Sequence, residues 1–489
     1  MTPAATDLPL RLATPRGRWV VAATVLGSGV AFLDSTVVNV ALPAIGHGLH
    51  TNLAGLQWVL DGYLLTLGSL IVLGGSLGDL RGRRHVYVWG LLGFLVTSAS
   101  CAVAPDVEVL IVSRVLQGIA AALLVPGSLA IISSSFHPDD RPRAIGAWSG
   151  LAGVWTAVGP FLGGWLVDAV SWRLVFLVNL PVILVTVWIV QRHVPESRDT
   201  EASGHVDVAG AATLTLGLAG VVYALIEGPA KQWPPLSVGA GIGGVVLLAA
   251  FLLVELRARE PMVPLAMFRS SQFSGANATT LAVYAALGVA TFLVVVHLQV
   301  DLGYSALYAG ASLLPLTILM FLFSARAGAL AQRIGPRIPM TVGPLVVAVG
   351  LALLGEISAG DSYLTAVLPG VVVLGIGLTI TVAPLTAAVL AAAEERHAGI
   401  ASAINNAVAR LASLLAIAVV PAVAGMTGTA KGAFASGYPT ALRIAALVAA
   451  AGGVIAFGTI RRGASVTSVT HPDAAHACQP AACLEHASG

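Results

Sequence analysis

Two carboxylates and one guanidinium stand where the sequence is otherwise apolar. Asp34 lies within GVAFLDSTVVNVALP, Asp61 within WVLDGYLL and Arg114 within VSRVLQG. Charge in such surroundings is costly in lipid and is usually kept for a function. Burial favours a neutral carboxyl, and a neighbouring Arg favours an ionised one. A carboxyl poised between the two can load and release a proton as access switches sides. The alternative is a permanent ion pair that only locks helices together.

The elements that position these groups are membrane spans. Hydrophobic residues make up 57% of the 489 and charged ones 10%, with a mean hydropathy of +0.89. Soluble chains are about a quarter charged, so a soluble enzyme is excluded, as is a disordered or fibrous chain. The net charge of +2 gives no reason to expect a nucleic-acid partner. Three cysteines, Cys101, Cys478 and Cys483, make no disulfide framework. The first apolar run follows Arg16 and Arg18 and is too long for a cleaved signal, so it is expected to stay in the membrane.

A crossing needs about 20 residues. Fourteen runs qualify: 19–45, 53–79, 85–104, 107–132, 143–168, 173–192, 208–228, 236–257, 273–299, 304–331, 337–357, 362–391, 397–426 and 439–460. The expected fold is all-α, a polytopic membrane protein of 14 transmembrane helices. With an inside N-terminus, the inner loops and tails hold nineteen Arg, while the outer loops hold only Arg173, Lys231 and Lys431. That asymmetry is a positive-inside signal and supports an even span count. At about 1.5 Å per residue, Asp34 lies roughly 18 Å, Asp61 roughly 14 Å and Arg114 roughly 12 Å below the outer surface. The expectation is one acid–base cluster, with Arg114 holding one or both carboxylates.

Other positions are weaker candidates. Arg410 lies roughly 21 Å into span 13. It follows Asn405 and Asn406, and no acid in that span offers a partner. It could line a cavity, snorkel, or pair with another helix. Glu227 and Asp301 sit near outer span ends and are expected to be solvated. His297 is expected to be packed or hydrogen-bonded. Glu394, Glu395 and Arg396 read as a solvated turn. His471, His476, Cys478, Cys483 and His486 fit no compact zinc module, so no metal site is expected in a disordered tail. There is no G-x-x-x-x-G-K-[ST], H-E-x-x-H or G-x-S-x-G motif, which argues against ATP-driven transport and against an enzyme.

Several motifs carry a resemblance. The run Gly75-Ser76-Leu77-Gly78-Asp79-Leu80-Arg81-Gly82-Arg83-Arg84 resembles the G-x-L-x-D-R-x-G-R-R loop of the major facilitator superfamily, with Leu80 where Arg is usual. A weaker echo at Gly328–Arg337, with Gln332 in place of the acid, suggests a repeat of six-helix halves. Arg114-Val115-Leu116-Gln117-Gly118 resembles R-x-x-Q-G. Gly159-Pro160-Phe161-Leu162-Gly163-Gly164 is similar to the G-P-x-x-G-G of antiporters, with Trp155 where a small residue is usual. Leu33-Asp34-Ser35-Thr36-Val37-Val38-Asn39-Val40-Ala41-Leu42-Pro43 resembles the first-span signature of fourteen-helix drug:proton antiporters. Ser171-Trp172-Arg173 and Asn179-Leu180-Pro181 also fit that group.

The resemblance implies an organisation as follows: an N-terminal tail (1–18), a six-helix half (19–192), a linker (193–207), two added helices (208–257), a loop (258–272), a second half (273–462) and a tail (463–489). It also implies a proton-coupled exporter of hydrophobic or amphipathic small molecules in a bacterial plasma membrane, monomeric, with both termini cytoplasmic. No cofactor is expected, since the proton gradient supplies the energy. Asp34, Asp61 and Arg114 are the expected coupling residues. Gly75, Asp79, Gly82, Arg83 and Arg84 form the expected gate loop, and Gly159, Pro160, Gly163 and Gly164 the hinge. Asn39, Gln117, Trp155, Asn405, Asn406 and Arg410 are the expected cavity wall. A lipid or metabolite exporter on the same fold, and a non-transporting sensor or scaffold, are the alternatives. Because the second half is poor in acids and carries Arg410, the substrate is expected not to be a simple dication.

Overall fold

The structure, a computed structural model, describes residues 9–198, 207–258, 261–393, 398–426 and 431–461. Fourteen helices are long and apolar enough to cross a membrane. They are α1 (Pro15–Gly48), α2 (Leu53–Arg81), α3 (Arg83–Ala102), α4 (Val107–Ser135), α5 (Arg141–Ala169), α6 (Leu174–His193), α7 (Val208–Ala230), α8 (Pro235–Arg257), α9 (Ser271–Val300), α10 (Ala306–Ile334), α11 (Arg337–Gly355), α12 (Tyr363–Ala391), α13 (Gly399–Val423) and α14 (Phe434–Thr459). Among the described residues no β-strand forms. Each expected run has its helix. In lipid every backbone amide must be satisfied within its own segment, which is why long apolar runs become helices.

Starts are set by side chains that cap free amides. Asn52 accepts from Gly55 N at 3.1 Å, Asp106 from Val109 N at 2.8 Å and Asp207 from Gly210 N at 2.7 Å. Three spans are not uniform helices, which the apolar pattern does not reveal. α6 breaks at Val178, α10 breaks at Leu313 just before Pro315, and α12 opens with a wider turn, Tyr363–Val367, ahead of Pro369. Proline has no N–H to return to the preceding turn, so a break there costs little.

The halves, α1–α6 and α9–α14, share one apolar core at the end bearing Asp168. There Leu42 and Ile45 pack in the same cluster as Leu298 and Ala309. At the opposite end, which bears Arg83, the core divides into two clusters. One gathers Val20, Tyr87 and Ile132, with Ala403 and Ala407 of α13 still packed against it, and the other Phe273, Met340 and Leu385. Gly146, Gly150 and Gly153 of α5 face open space at that end. The molecule is thus closed at one end and parted at the other. The added pair α7–α8 leans on both halves. Leu218, Val222 and Ile226 of α7 pack with Leu65 of α2 and with Leu414 and Ala418 of α13.

Candidate functional site

Five helices converge on Asp34. Arg114 Nη1 of α4 donates to Asp34 Oδ2 at 2.5 Å and to Gln117 Oε1 at 2.7 Å, one turn along its own helix. Arg114 Nε donates to Val59 O of α2 at 3.0 Å, and the guanidinium sits 4.3 Å over the Tyr63 ring. The amides of Gln117 and of Asn179 in α6 each donate to Asp34 Oδ1 at 3.2 Å. Both also reach Ser98 Oγ of α3, at 3.3 and 3.1 Å. Asp34 is 0% exposed and Arg114 1%. A buried ion pair stands only where further hydrogen bonds complete it, and here they do. The pairing expected between Asp34 and Arg114 is present.

Asp61 is not in that cluster. It too is 0% exposed, yet neither carboxylate oxygen has a hydrogen-bond partner. The reason is helical phase. Two residues along a helix turn a side chain to the opposite face, so α2 gives Tyr63 to Arg114 and aims Asp61 away. Asp61 shares its face with Gln57, which donates to Ile417 O of α13 at 2.6 Å, and with Gly68, against which Leu411 packs. That face is the seam between the halves. Sequence reading placed the depth of Asp61 but not its direction.

The expected cavity residues divide. Gln117 is fully buried in the Asp34 network and is no wall residue, because both ends of its amide are engaged there. Asn39 is partly exposed and donates to Ser35 O at 2.8 Å. Trp155 lies against α1 where Gly29 leaves room, since a side chain begun at Gly29 would meet the indole at 2.5 Å. Asn405 bridges to Asn277 Oδ1 at 3.1 Å and Thr280 Oγ1 at 2.7 Å on α9, and Asn406 donates to Ser402 O at 3.1 Å. Arg410 is partly exposed, with its guanidinium 5.9 Å from the Phe32 ring.

The loop signature is a tight helix–helix turn. Gly82 has φ +102°, a region that favours glycine. Arg83 pairs with Asp79 at 2.8 Å. Gly75 lies against Pro126 of α4. Glu196, which follows α6, accepts from the Arg84 amide at 3.1 Å and the His85 amide at 3.2 Å, and the Arg84 guanidinium donates to Val194 O at 3.2 Å. Sequence reading assigned Glu196 only to a linker. Gly335, in the acid-free second copy, also has positive φ, +83°, while Arg337 stacks on Phe457 at 4.3 Å.

At the closed end, α5 is the contact surface. Gly159 and Gly163 pack on Thr36 and Val37 of α1, and Gly164 on the backbone of Ala306 and Leu307 in α10. The Pro160 carbonyl meets Gly310. Asp168, which sequence reading passed over, accepts from Ala306 N at 3.1 Å and Leu307 N at 2.8 Å and so caps α10 from the other half. The turn that delivers those amides is fixed by His297. Its Nδ1 lies 2.7 Å from Asp301 Oδ2, its Nε2 3.2 Å from Ile357 O, and its ring stacks 3.8 Å from that of Tyr438. Asp301 is therefore paired rather than solvated. Glu227 is likewise bonded, to Trp58 Nε1 at 3.0 Å and Lys231 at 2.8 Å, because α7 sets it against α2. Hydrogen bonding to Glu227 raises the pKa of Lys231. Glu394, Glu395, Arg396 and the His and Cys residues of the tail lie outside the described residues.

A family model described as Major Facilitator Superfamily matches residues 24–417. The tetracenomycin C resistance and export protein of Streptomyces glaucescens is 36% identical over 408 residues, 83% of this chain and 76% of that protein. The multidrug resistance protein Stp of Mycobacterium tuberculosis is 34% identical over 409 residues, 82% of this chain and 74% of that one. The methylenomycin A resistance protein of Bacillus subtilis is 34% identical over 412 residues, 83% of this chain and 87% of that one. Among solved structures, a peptide transporter POT in complex with sulfate aligns with a TM-score of 0.65 at 15% identity, covering 94% of this chain and 98% of that one. A bacterial homolog of the human lysosomal transporter Spinster gives 0.65 at 15% identity over 91% and 97%. With its fourteen helices, its paired halves and a family match running from α1 into α13, this chain belongs to the Major Facilitator Superfamily, among relatives that are antibiotic-resistance and multidrug transporters.

Proposed function

We propose that the protein is a proton-coupled antiporter that exports hydrophobic or amphipathic small molecules by alternating access. The observation that carries this reading is the wiring of Arg114. It holds Asp34 but keeps two other acceptors, Gln117 Oε1 and Val59 O, and lies over Tyr63. Asp34 can accept a proton and release the guanidinium without leaving Arg114 bare, so the pair can open and close at modest cost. Asp61 supports it from the seam, where among the described residues neither oxygen of its carboxylate has a hydrogen-bond partner. A scaffold needs neither feature.

The parted end bears the turns richest in arginine, including Arg81, Arg83, Arg84, Arg141 and Arg143. The positive-inside rule makes that end cytoplasmic. The conformation is then inward-open, sealed outside by α5 against α10, in a bacterial plasma membrane. The halves 19–192 and 273–462 rock about the seam, with 208–257 as the added pair. The proton gradient supplies the energy, and the working unit is the monomer.

The test is drug and dye efflux from proteoliposomes under an imposed pH gradient, native against Asp34→Asn. Gradient-driven flux lost in the variant is the expected result. Flux indifferent to both gradient and substitution would reject the mechanism.

A further inference from the structure

Resting on the export reading, the central wall also says what charge the cargo carries. Arg410 lies near the middle of α13. Its Cβ packs against Gly68 of α2, and its guanidinium approaches Phe32 of α1. Among the described residues no carboxylate pairs with it. The two acids of the first spans give it nothing, because Asp34 is clasped by Arg114 and Asp61 is sealed, both at 0% exposure. Asn405 is already committed to α9. A partly exposed guanidinium at this depth is not left against lipid, so it faces the space between the halves.

The surroundings fit an aromatic anion. Phe32 meets Trp148 edge-on at 6.4 Å, and Trp155 lies one turn away over Gly29. At 5.9 Å the Phe32 ring is at the outer limit of cation–π range, which leaves the Arg410 fork free for a stronger partner. Guanidinium binds a carboxylate through two parallel hydrogen bonds, and the aromatic faces take a flat ring. We propose that Arg410 is the anion-binding element of the export site and that the preferred cargo is an amphipathic aromatic compound bearing an acidic group. A dication would meet an uncompensated positive charge.

A matched probe set tests this: pyrenebutyrate, its neutral methyl ester and a trimethylammonium analogue. Efflux from proteoliposomes and binding to nanodisc-embedded protein, read by energy transfer from tryptophan to pyrene, are measured for the native chain, Arg410→Lys and Arg410→Gln. The native chain is expected to favour the acid. Arg410→Gln should lower the acid-to-ester ratio about tenfold in both assays, with Arg410→Lys between them. Preference for the cation, or a ratio unmoved by Arg410→Gln, would overturn the proposal. Should Arg410→Gln fail to fold, native binding that ranks ester or cation above acid would still overturn it. Selective, Arg410-dependent binding of the acid without gradient-driven flux of any probe would uphold the anion site and overturn the export reading alone.

Discussion

The two halves share a helical plan and spend their charge differently. In the first, Asp34 and Arg114 are buried at depth, in a network that draws on α1, α2, α3, α4 and α6. In the second, His297 pairs with the partly buried Asp301 that caps the end of α9, one helical turn along the chain. The first pair joins α1 to α4 within one half, and on the proposed mechanism it opens by protonation of Asp34. The second fixes a turn that presents backbone amides to Asp168. The turns after α2 and α10 repeat the contrast. Both pivot on a glycine of positive φ, but among the described residues only the first is held by an acid from elsewhere, Glu196. On the proposed function, similar backbones therefore carry a switch on one side and a brace on the other.

The comparison breaks most readily at Arg114. Arg114→Ala strands a buried carboxylate and should cost about 3–5 kcal/mol, read as a lower thermal unfolding midpoint. Adding Asp34→Leu should recover much of that stability while gradient-driven flux stays lost. A stable double variant that still couples would make the pair a mere lock. His297→Ala removes two hydrogen bonds and a ring stack, worth about 2–3 kcal/mol, yet flux per folded molecule should stay within about twofold if the pair is a brace. A coupling defect as severe as that of Asp34→Asn would erase the distinction.

Asp168→Ala uncaps α10 for about 1 kcal/mol. In a background with Cys478 and Cys483 replaced by Ser, it should raise labelling of Asn39→Cys by an impermeant external thiol reagent. Unchanged labelling would mean that the glycine contacts alone seal that end. The smallest effect is expected from Glu196→Gln, about 0.5–1 kcal/mol or less, with a modest slowing of flux. No slowing would confine Glu196 to holding the turn.

Fourteen crossings were legible because lipid leaves an apolar run of twenty residues few alternatives to a helix. The Asp34–Arg114 pair was legible because charge in such a run is conspicuous and depth follows from counting. Direction was harder. Asp61 has suitable depth but the opposite helical phase to Tyr63, and phase shows only when the neighbouring helix is known. Ser98 is an uncharged polar residue in an apolar run, a signal too common to single it out, and Asn179 was marked by its Asn179-Leu180-Pro181 motif but not by its partner. Asp168 and Glu196 lie at span ends, where acids ordinarily face water. Their roles depend on which backbone amides the fold brings to them.

The added pair gives the molecule two unlike flanks. By lying across α2 and α13, α7, backed by α8, covers the seam on that side, with Trp58 and Glu227 fastening the cover. No such pair stands over α5 and α10 among the described residues. For a solute dissolved in the bilayer, one flank is a wall, while the other is sealed only towards the Asp168 end, where α5 meets α10. On the export reading, cargo entering sideways is expected to pass between α5 and α10 towards the Arg83 end, beside Gly146, Gly150 and Gly153, and to meet Trp155 there.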